Sequence, residues 1–363
     1  MVMANRPEVA TASAPIAAVD TVVLAQQMIA ALARVPFRHP LSGRSTRVSN
    51  LGAAVTREIV RTFMGYSSSL PIEEFRSIER LLDDLCRVVM PPVVNAFDVQ
   101  ERPAELGGVP GVLFQPRGTE AQGVILYLHG GGYIGTSPTM YSFFTARLCR
   151  ETRCAVFVAD YRLAPEFPFP AGVEDAAHVL ADLVRRGAPR ERLFVAGDSG
   201  GGGLATTLVL ATPAHVELEP PTGLILFSPE VDLRLDQPSI TDNAGLDILP
   251  WNIPTAAYLH GMDPSDGYVS AGEADLSGFP PTFVAWGDDE MFRDPIRDFV
   301  ARLDAAGVPH DAHEAAGMFH VFPILMPWAD ASRRVYRAVA DFVDERLGEA
   351  PPLHATTVDG IGS

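Results

Sequence analysis

"RLFVAGDSGGGGLATTLVLA", residues 192–211, decides how this chain is read. An apolar run ends in Gly197-Asp198-Ser199-Gly200-Gly201, and a helix-compatible run follows with no linker between them. A serine placed on a sharp turn between strand and helix projects its hydroxyl outward, and only minimal flanking side chains let the backbone close around it. The helix that starts there aims its first N–H groups at developing negative charge. The same glycines do not form a phosphate loop. They match neither G-x-x-x-x-G-K-[ST] nor an early G-x-G-x-x-G with an acidic residue downstream.

Working outward, short apolar runs alternate with amphipathic stretches. "GVPGVLFQPRG", "GVILYLHGGG", "CAVFVADYRLAPE", "TGLILFSPEVDL" and "PPTFVAWGDDE" read as strands, with a further short strand near 310–316. "GVEDAAHVLADLVRRG", "DPIRDFVARLDAAG" and "DASRRVYRAVADFVDERL" read as helices. Continuous apolar strands alternating with helices predict an α/β fold around a mostly parallel sheet covered on both faces. In such sheets ligands sit beyond the carboxyl ends of the strands, so the residues after each apolar run carry the information.

Residues 1–95 have no strand-like run. "TVVLAQQMIAALARV" and "IEEFRSIERLLDDLCRVV" have helical spacing, so this part is expected to be a helical cap ending at "MPPVV". The expected catalytic domain is 96–348. Within it, 230–278 is rich in proline, glycine and aspartate and reads as an insertion contributing to the cap, with a short helix in "TAAYLHGM". Residues 349–363 are expected to be a flexible tail.

The chain has 363 residues, 28 basic against 45 acidic, for a net charge of −17. Such a surface repels phosphate backbones and anionic membranes, which argues against nucleic-acid partners. Cys86, Cys149 and Cys154 form no disulfide framework and no metal-type spacing, consistent with buried thiols in a reducing cytoplasm. Arg6, Glu8, Asp20, Gln26 and Gln27 interrupt the N-terminal apolar stretch, so neither a signal peptide nor membrane insertion is expected.

A serine hydroxyl needs a base, and the base needs an orienting acid. In a strand–turn–helix setting the order is serine, acid, histidine. Of the histidines downstream, His215 follows the helix after the elbow and His354 lies in the tail. His310 and His313 flank a strand on opposite faces. His320, in "AGMFHVF", follows a strand and a glycine that frees the loop to bend back, which makes it the base. For the acid, Asp288, Asp289 and Glu290 all follow "PTFVAW", and spacing does not choose among them. Asp294, Glu230 and Asp232 are further candidates. In "HGGGY", Gly131 and Gly132 end the neighbouring strand and are suited to donate N–H groups to an oxyanion, with the N–H of Gly200 as a third donor. His129 is expected to hold that loop. No metal or cofactor is called for.

Taken together, "HGGGY", "DYRLAPEFPFPA", "GDSGG", "DLSGFPPT", "GDDEMFRD" and "AGMFHVF" resemble the hormone-sensitive-lipase group of the α/β-hydrolase superfamily, in particular its bacterial (family IV) carboxylesterases, over about residues 110–345. The resemblance implies an α/β-hydrolase fold with an eight-stranded, mostly parallel central sheet and an N-terminal helical cap. It implies a serine carboxylesterase acting on short-to-medium acyl esters of small molecules through an acyl-enzyme, and a homodimer as one assembly. It favours Asp289 as the acid, giving Ser199, Asp289 and His320. Lactone, amide or carbamate hydrolysis shares all these residues, and a non-catalytic small-molecule binder is the rival outside enzymes. Three positions depart from the family pattern: Gly200 stands where alanine is usual, Glu230 where an aromatic is common, and Val321 where glycine is usual. Glu230, Val321, Tyr133 and Asp198 are the candidate pocket residues.

Overall fold

The computed structural model describes residues 10–38, 47–215, 220–250, 253–348 and 353. Three helices come first: α1 (Ala14–Arg38), α2 (Arg47–Ser67) and α3 (Ile72–Asn95). Then follow β1 (Val99–Leu106), β2 (Val109–Pro116), β3 (Val124–Leu128), α4 (Ser142–Thr152), β4 (Ala155–Ala159), α5 (Ala171–Arg185), β5 (Leu193–Asp198) and α6 (Ser199–His215). The second half comprises β6 (Gly223–Phe227), α7 (Pro238–Asp242), α8 (Thr255–Leu259), β7 (Thr282–Gly287), α9 (Arg293–Ala305), β8 (His310–Ala315), α10 (Phe322–Leu325) and α11 (Asp330–Leu347).

The eight strands form one sheet in the order β1-β2-β4-β3-β5-β6-β7-β8. Only β2 runs against its neighbours β1 and β4, and every other pairing is parallel. Strands β3, β4 and β6 are buried at every residue, so their apolar runs are continuous rather than alternating. Their side chains divide by parity. Val124, Leu126 and Leu128 face one core with residues of α5, α6 and α9, while Ile125 and Tyr127 face a second core with residues of α4 and α11. Both faces are therefore sealed, and the strand ends are left for chemistry.

The structure adds features that the apolar spacing does not mark. Strand β1, "VQERPAEL", gives no apolar signal because it is an edge strand buried only at its two ends, Val99 and Leu106. Helix α2 lies between the two helices that the apolar spacing marks, and α3 continues through Pro91 and Pro92 to Asn95. Residues Ala14–Val35 of α1 are long and apolar enough to cross a membrane by length and composition. Ile16, Val19, Val22, Ile29 and Leu32 of that helix are exposed. Cys86 is partly exposed, whereas Cys149 and Cys154 are buried. Of the tail 349–363, only Leu353 is among the described residues. It is buried, and its N–H donates to the Ala121 carbonyl at 2.9 Å.

One buried arginine ties the helical cap to the loop after β3. Arg76 of α3 donates to the Ile134 carbonyl, to the Ala164 carbonyl at 2.9 Å, to Glu166 at 2.7 Å and to Glu79 at 2.8 Å. Glu79 in turn accepts the Thr136 N–H. Burial pushes Glu79 up to about 7, against the pull of Arg76. A raised carboxyl pKa means that stability falls as pH rises from the ordinary carboxylate range through the folded value, because ionising the buried group is penalised. Removing Arg76 raises Glu79 further, so the penalty at high pH grows. Arg76→Ala is expected to destabilise by roughly 3–5 kcal/mol, the range for stranding one partner of a buried pair. The loss should be smaller at pH 5 than at pH 8, read from denaturant midpoints at both pH values.

Candidate active site

The elbow forms as the sequence predicts. Strand β5 ends at Asp198, Ser199 takes φ +51°, and α6 starts at the serine itself. A non-glycine residue in this left-handed region marks a held, strained turn. The turn is tight because α6 crosses close to the end of β3. A Cβ on Gly201 would collide with the carbonyl oxygens of Leu128 and His129. The nucleophile thus stands where packing permits no side chain two residues on.

The base meets it. His320 Nε2 lies 2.8 Å from Ser199 Oγ, and both residues are buried. On the other side of the ring, Nδ1 lies 2.9 Å from Glu290 Oε2. Accepting the Nδ1 proton fixes the tautomer that leaves Nε2 free to accept from the serine. Phe292 packs edge-on against the imidazole, with ring centroids 5.1 Å apart.

Glu290, not Asp289, therefore faces the histidine, and the reason is the turn after β7. Asp289 donates its N–H to the Met318 carbonyl, and its side chain points to the cap, where Oδ2 accepts from Arg57 of α2 at 2.9 Å. Glu290 folds back under the strand. Its Oε1 accepts the N–H of Gly287 at 2.7 Å, and it is fully buried. Of the other candidates, Asp288 accepts from the Gly317 N–H, Asp294 accepts from the Ser239 N–H, Asp232 pairs with Arg234, and the Glu230 carboxyl makes no hydrogen bond to the imidazole. Burial opposes charge on both partners of the dyad, pushing the Glu290 carboxyl up and the His320 imidazole down. The Gly287 N–H and the Ser228 hydroxyl favour the Glu290 carboxylate.

Two supports carry no signal in the sequence. Asp247, fully buried, accepts the His320 N–H at 2.9 Å through Oδ1 and the Met291 N–H at 2.7 Å through Oδ2. One carboxylate thereby positions both loops of the dyad. Ser228 accepts the Val321 N–H at 3.0 Å. Val321 itself takes φ +49°, the conformation in which glycine is easier to place.

The glycine loop sits opposite. Gly131 takes φ +117° and Gly132 φ +60°. A Cβ on Gly200 would lie 3.1 Å from the Tyr133 nitrogen and 3.3 Å from Gly132 Cα, so the elbow and the loop face each other at close range. Among the described residues, none of the N–H groups of Gly131, Gly132 and Gly200 is donated to a protein acceptor. Asp198 anchors the loop from below, accepting from Gly130 N–H at 2.9 Å, Tyr127 at 2.7 Å and Tyr141 at 2.9 Å. His129 is buried, within 2.8 Å of the Thr136 hydroxyl.

A cavity of about 320 Å³ opens onto Ser199 and His320, walled by Val60 and Phe63 of α2, Phe75 and Ile78 of α3, and Leu249 and Ile253 of the insertion. Of the candidate pocket residues, Asp198, Glu230 and Val321 line it. Tyr133 instead stacks on Tyr258 with centroids 3.8 Å apart. No group of three or more metal-ligating side chains occurs among the described residues.

A family profile described as the alpha/beta hydrolase fold matches residues 125–324. The chain belongs to the hormone-sensitive-lipase-like carboxylesterases of that fold. An acetyl-hydrolase of Streptomyces hygroscopicus is 34% identical over 233 residues, covering 62% of this chain and 76% of the relative. An esterase of Acinetobacter venetianus is 30% identical over 271 residues, covering 73% and 88%. The crystal structure of a hormone-sensitive lipase from a metagenome library superposes with a TM-score of 0.71 at 29% identity, covering 81% of this chain and 98% of that one. This carboxylic ester hydrolase family accounts for the fold and the class of reaction.

The two acidic neighbours separate cleanly by substitution. Glu290→Gln keeps the size but cannot hold the imidazolium, and is expected to lower kcat by roughly 10³–10⁴. Asp289→Asn should leave kcat within about tenfold, since it touches only the cap. Steady-state hydrolysis of p-nitrophenyl butanoate by both purified variants checks this, and the reverse ranking would return the role to Asp289.

Proposed function

We propose that the protein is a serine carboxylesterase working through an acyl-enzyme, with Ser199 as nucleophile, His320 as base and Glu290 as orienting acid. The observation that carries this reading is the continuous contact Ser199–His320–Glu290, made with all three side chains buried.

His320 Nε2 accepts the serine proton as Oγ attacks the ester carbonyl. Negative charge then develops on the carbonyl oxygen, between the elbow and the glycine loop. The undonated N–H groups of Gly131, Gly132 and Gly200 are free to donate to it, and each such donor is worth about 3–4 kcal/mol of barrier. Imidazolium formed on His320 is stabilised by Glu290 and then protonates the departing alcohol. Water enters, loses its proton to His320, and releases the acid and free enzyme.

The cavity's size and its predominantly aliphatic and aromatic wall support short-to-medium acyl esters, as the resemblance implies. Buried free Cys149 and Cys154 support a cytoplasmic location.

Rapid-mixing assays with p-nitrophenyl esters of increasing acyl length test the scheme. Wild type should give a stoichiometric burst or steady turnover that peaks at short-to-medium chains. Ser199→Ala should lose at least about 10⁴ in kcat while folding normally. A wild-type protein that turns over none of the series would overturn the esterase reading.

A further inference from the structure

The cavity holds one feature that ester hydrolysis by the triad does not use. Glu230 follows β6, and its N–H donates to the Ser199 carbonyl at 2.9 Å, so the residue is fastened to the nucleophile's own backbone. It lines the same cavity as Ser199 and His320. Its side chain is 2% exposed, yet neither carboxyl oxygen has a hydrogen-bond partner among the described residues. A second buried polar atom close by, the hydroxyl of Tyr258, is also without a partner. Tyr258 stacks on Tyr133, and a Cβ on Gly203 would strike both the Tyr133 hydroxyl and the Glu230 carbonyl. Glu230 therefore brings a buried, unpaired carboxyl group to the cavity wall, while the Tyr133–Tyr258 stack lies outside the lining.

Buried polar groups are normally satisfied, and a pocket that leaves them bare discriminates strongly in favour of a ligand that pairs them. We propose that Glu230 is a specificity-determining subsite that recognises a hydroxyl group on the portion of the ester filling the cavity. A hydroxyl can donate to one oxygen of a carboxyl group and accept from the other when that group carries its proton. Burial pushes Glu230 up to about 8, which suits a neutral hydroxyl better than an ammonium. The inference rests on the esterase reading and adds its substrate class.

The test compares matched esters by pH-stat. One set is ethyl hexanoate against its hydroxyhexanoates, with the hydroxyl moved from carbon 2 to carbon 6. The other is butyl hexanoate against 4-hydroxybutyl hexanoate, so that acyl-side and alcohol-side recognition are told apart. Wild type is expected to favour at least one hydroxy ester over its parent by about tenfold or more in kcat/KM. Glu230→Leu should reduce that ratio to about twofold or less and raise kcat/KM for the unsubstituted ester. Glu230→Gln, still able to donate and accept, should keep much of the preference and provides the comparison if the leucine variant fails to fold. The proposal is overturned if wild type hydrolyses the parents but prefers no hydroxy ester. It is equally overturned if the preference survives in Glu230→Leu, or if 6-aminohexanoate esters are preferred over the hydroxy esters. Loss of all hydrolysis in wild type would strike the esterase reading instead.

Discussion

The hydrogen bond between His320 and Glu290 forms out of reach of water, and that condition governs the rest of the site. A buried carboxylate is disfavoured unless donors surround it. Here the Gly287 N–H, the Ser228 hydroxyl and the imidazole converge on Glu290. A buried imidazole also resists protonation, which keeps Nε2 a competent acceptor for Ser199. The same burial that makes the dyad expensive to ionise makes its electrostatics strong when the reaction charges it.

Holding such a pair in register requires more than the pair. His320 and Glu290 lie on different loops, after β8 and β7, and the fold joins them through Asp247 of the insertion. That carboxylate takes the His320 N–H and the Met291 N–H on its two oxygens. Arg57 performs a related task from the cap, pairing with Asp289 and lying over the Phe319 ring at 5.3 Å from its centroid. Arg76 does the same for the glycine loop. The helical cap is thus more than a pocket wall, because two of its arginines fasten loops that carry the chemistry.

Much of this was legible from sequence because it depended on local pattern. Parallel strands buried on both faces read as apolar runs, and the G-x-S-x-G turn follows from what a strand-to-helix crossover can tolerate. Order and loop context single out His320, the histidine that meets Ser199. Which of the consecutive Asp288, Asp289 and Glu290 meets the imidazole is not legible, since they differ only in which way a turn aims them. The family likeness favoured Asp289, whereas the turn hands Asp289 to Arg57, more than two hundred residues earlier in the chain. Asp247 was invisible for a similar reason: its segment has no periodicity, and its partners are backbone groups of distant loops. Strand β1 escaped because an edge strand need not be apolar.

The three departures from the family pattern belong to one neighbourhood. Gly200 faces Gly132 and Tyr133 at a separation where a methyl group would press on the loop. Gly203 permits the Tyr133 hydroxyl and the Glu230 backbone to approach α6, which brings Glu230 to the cavity wall. On the opposite side, Val321 accepts a left-handed backbone conformation while its N–H is held by Ser228, the residue that also donates to Glu290. The glycines after the nucleophile therefore do two things at once. They let the oxyanion loop close on the elbow, and they make room for a carboxyl group beside it. A larger residue at Gly203 would displace Tyr133 and Glu230 together, so the place of Glu230 in the wall and the tight elbow are consequences of the same packing constraint.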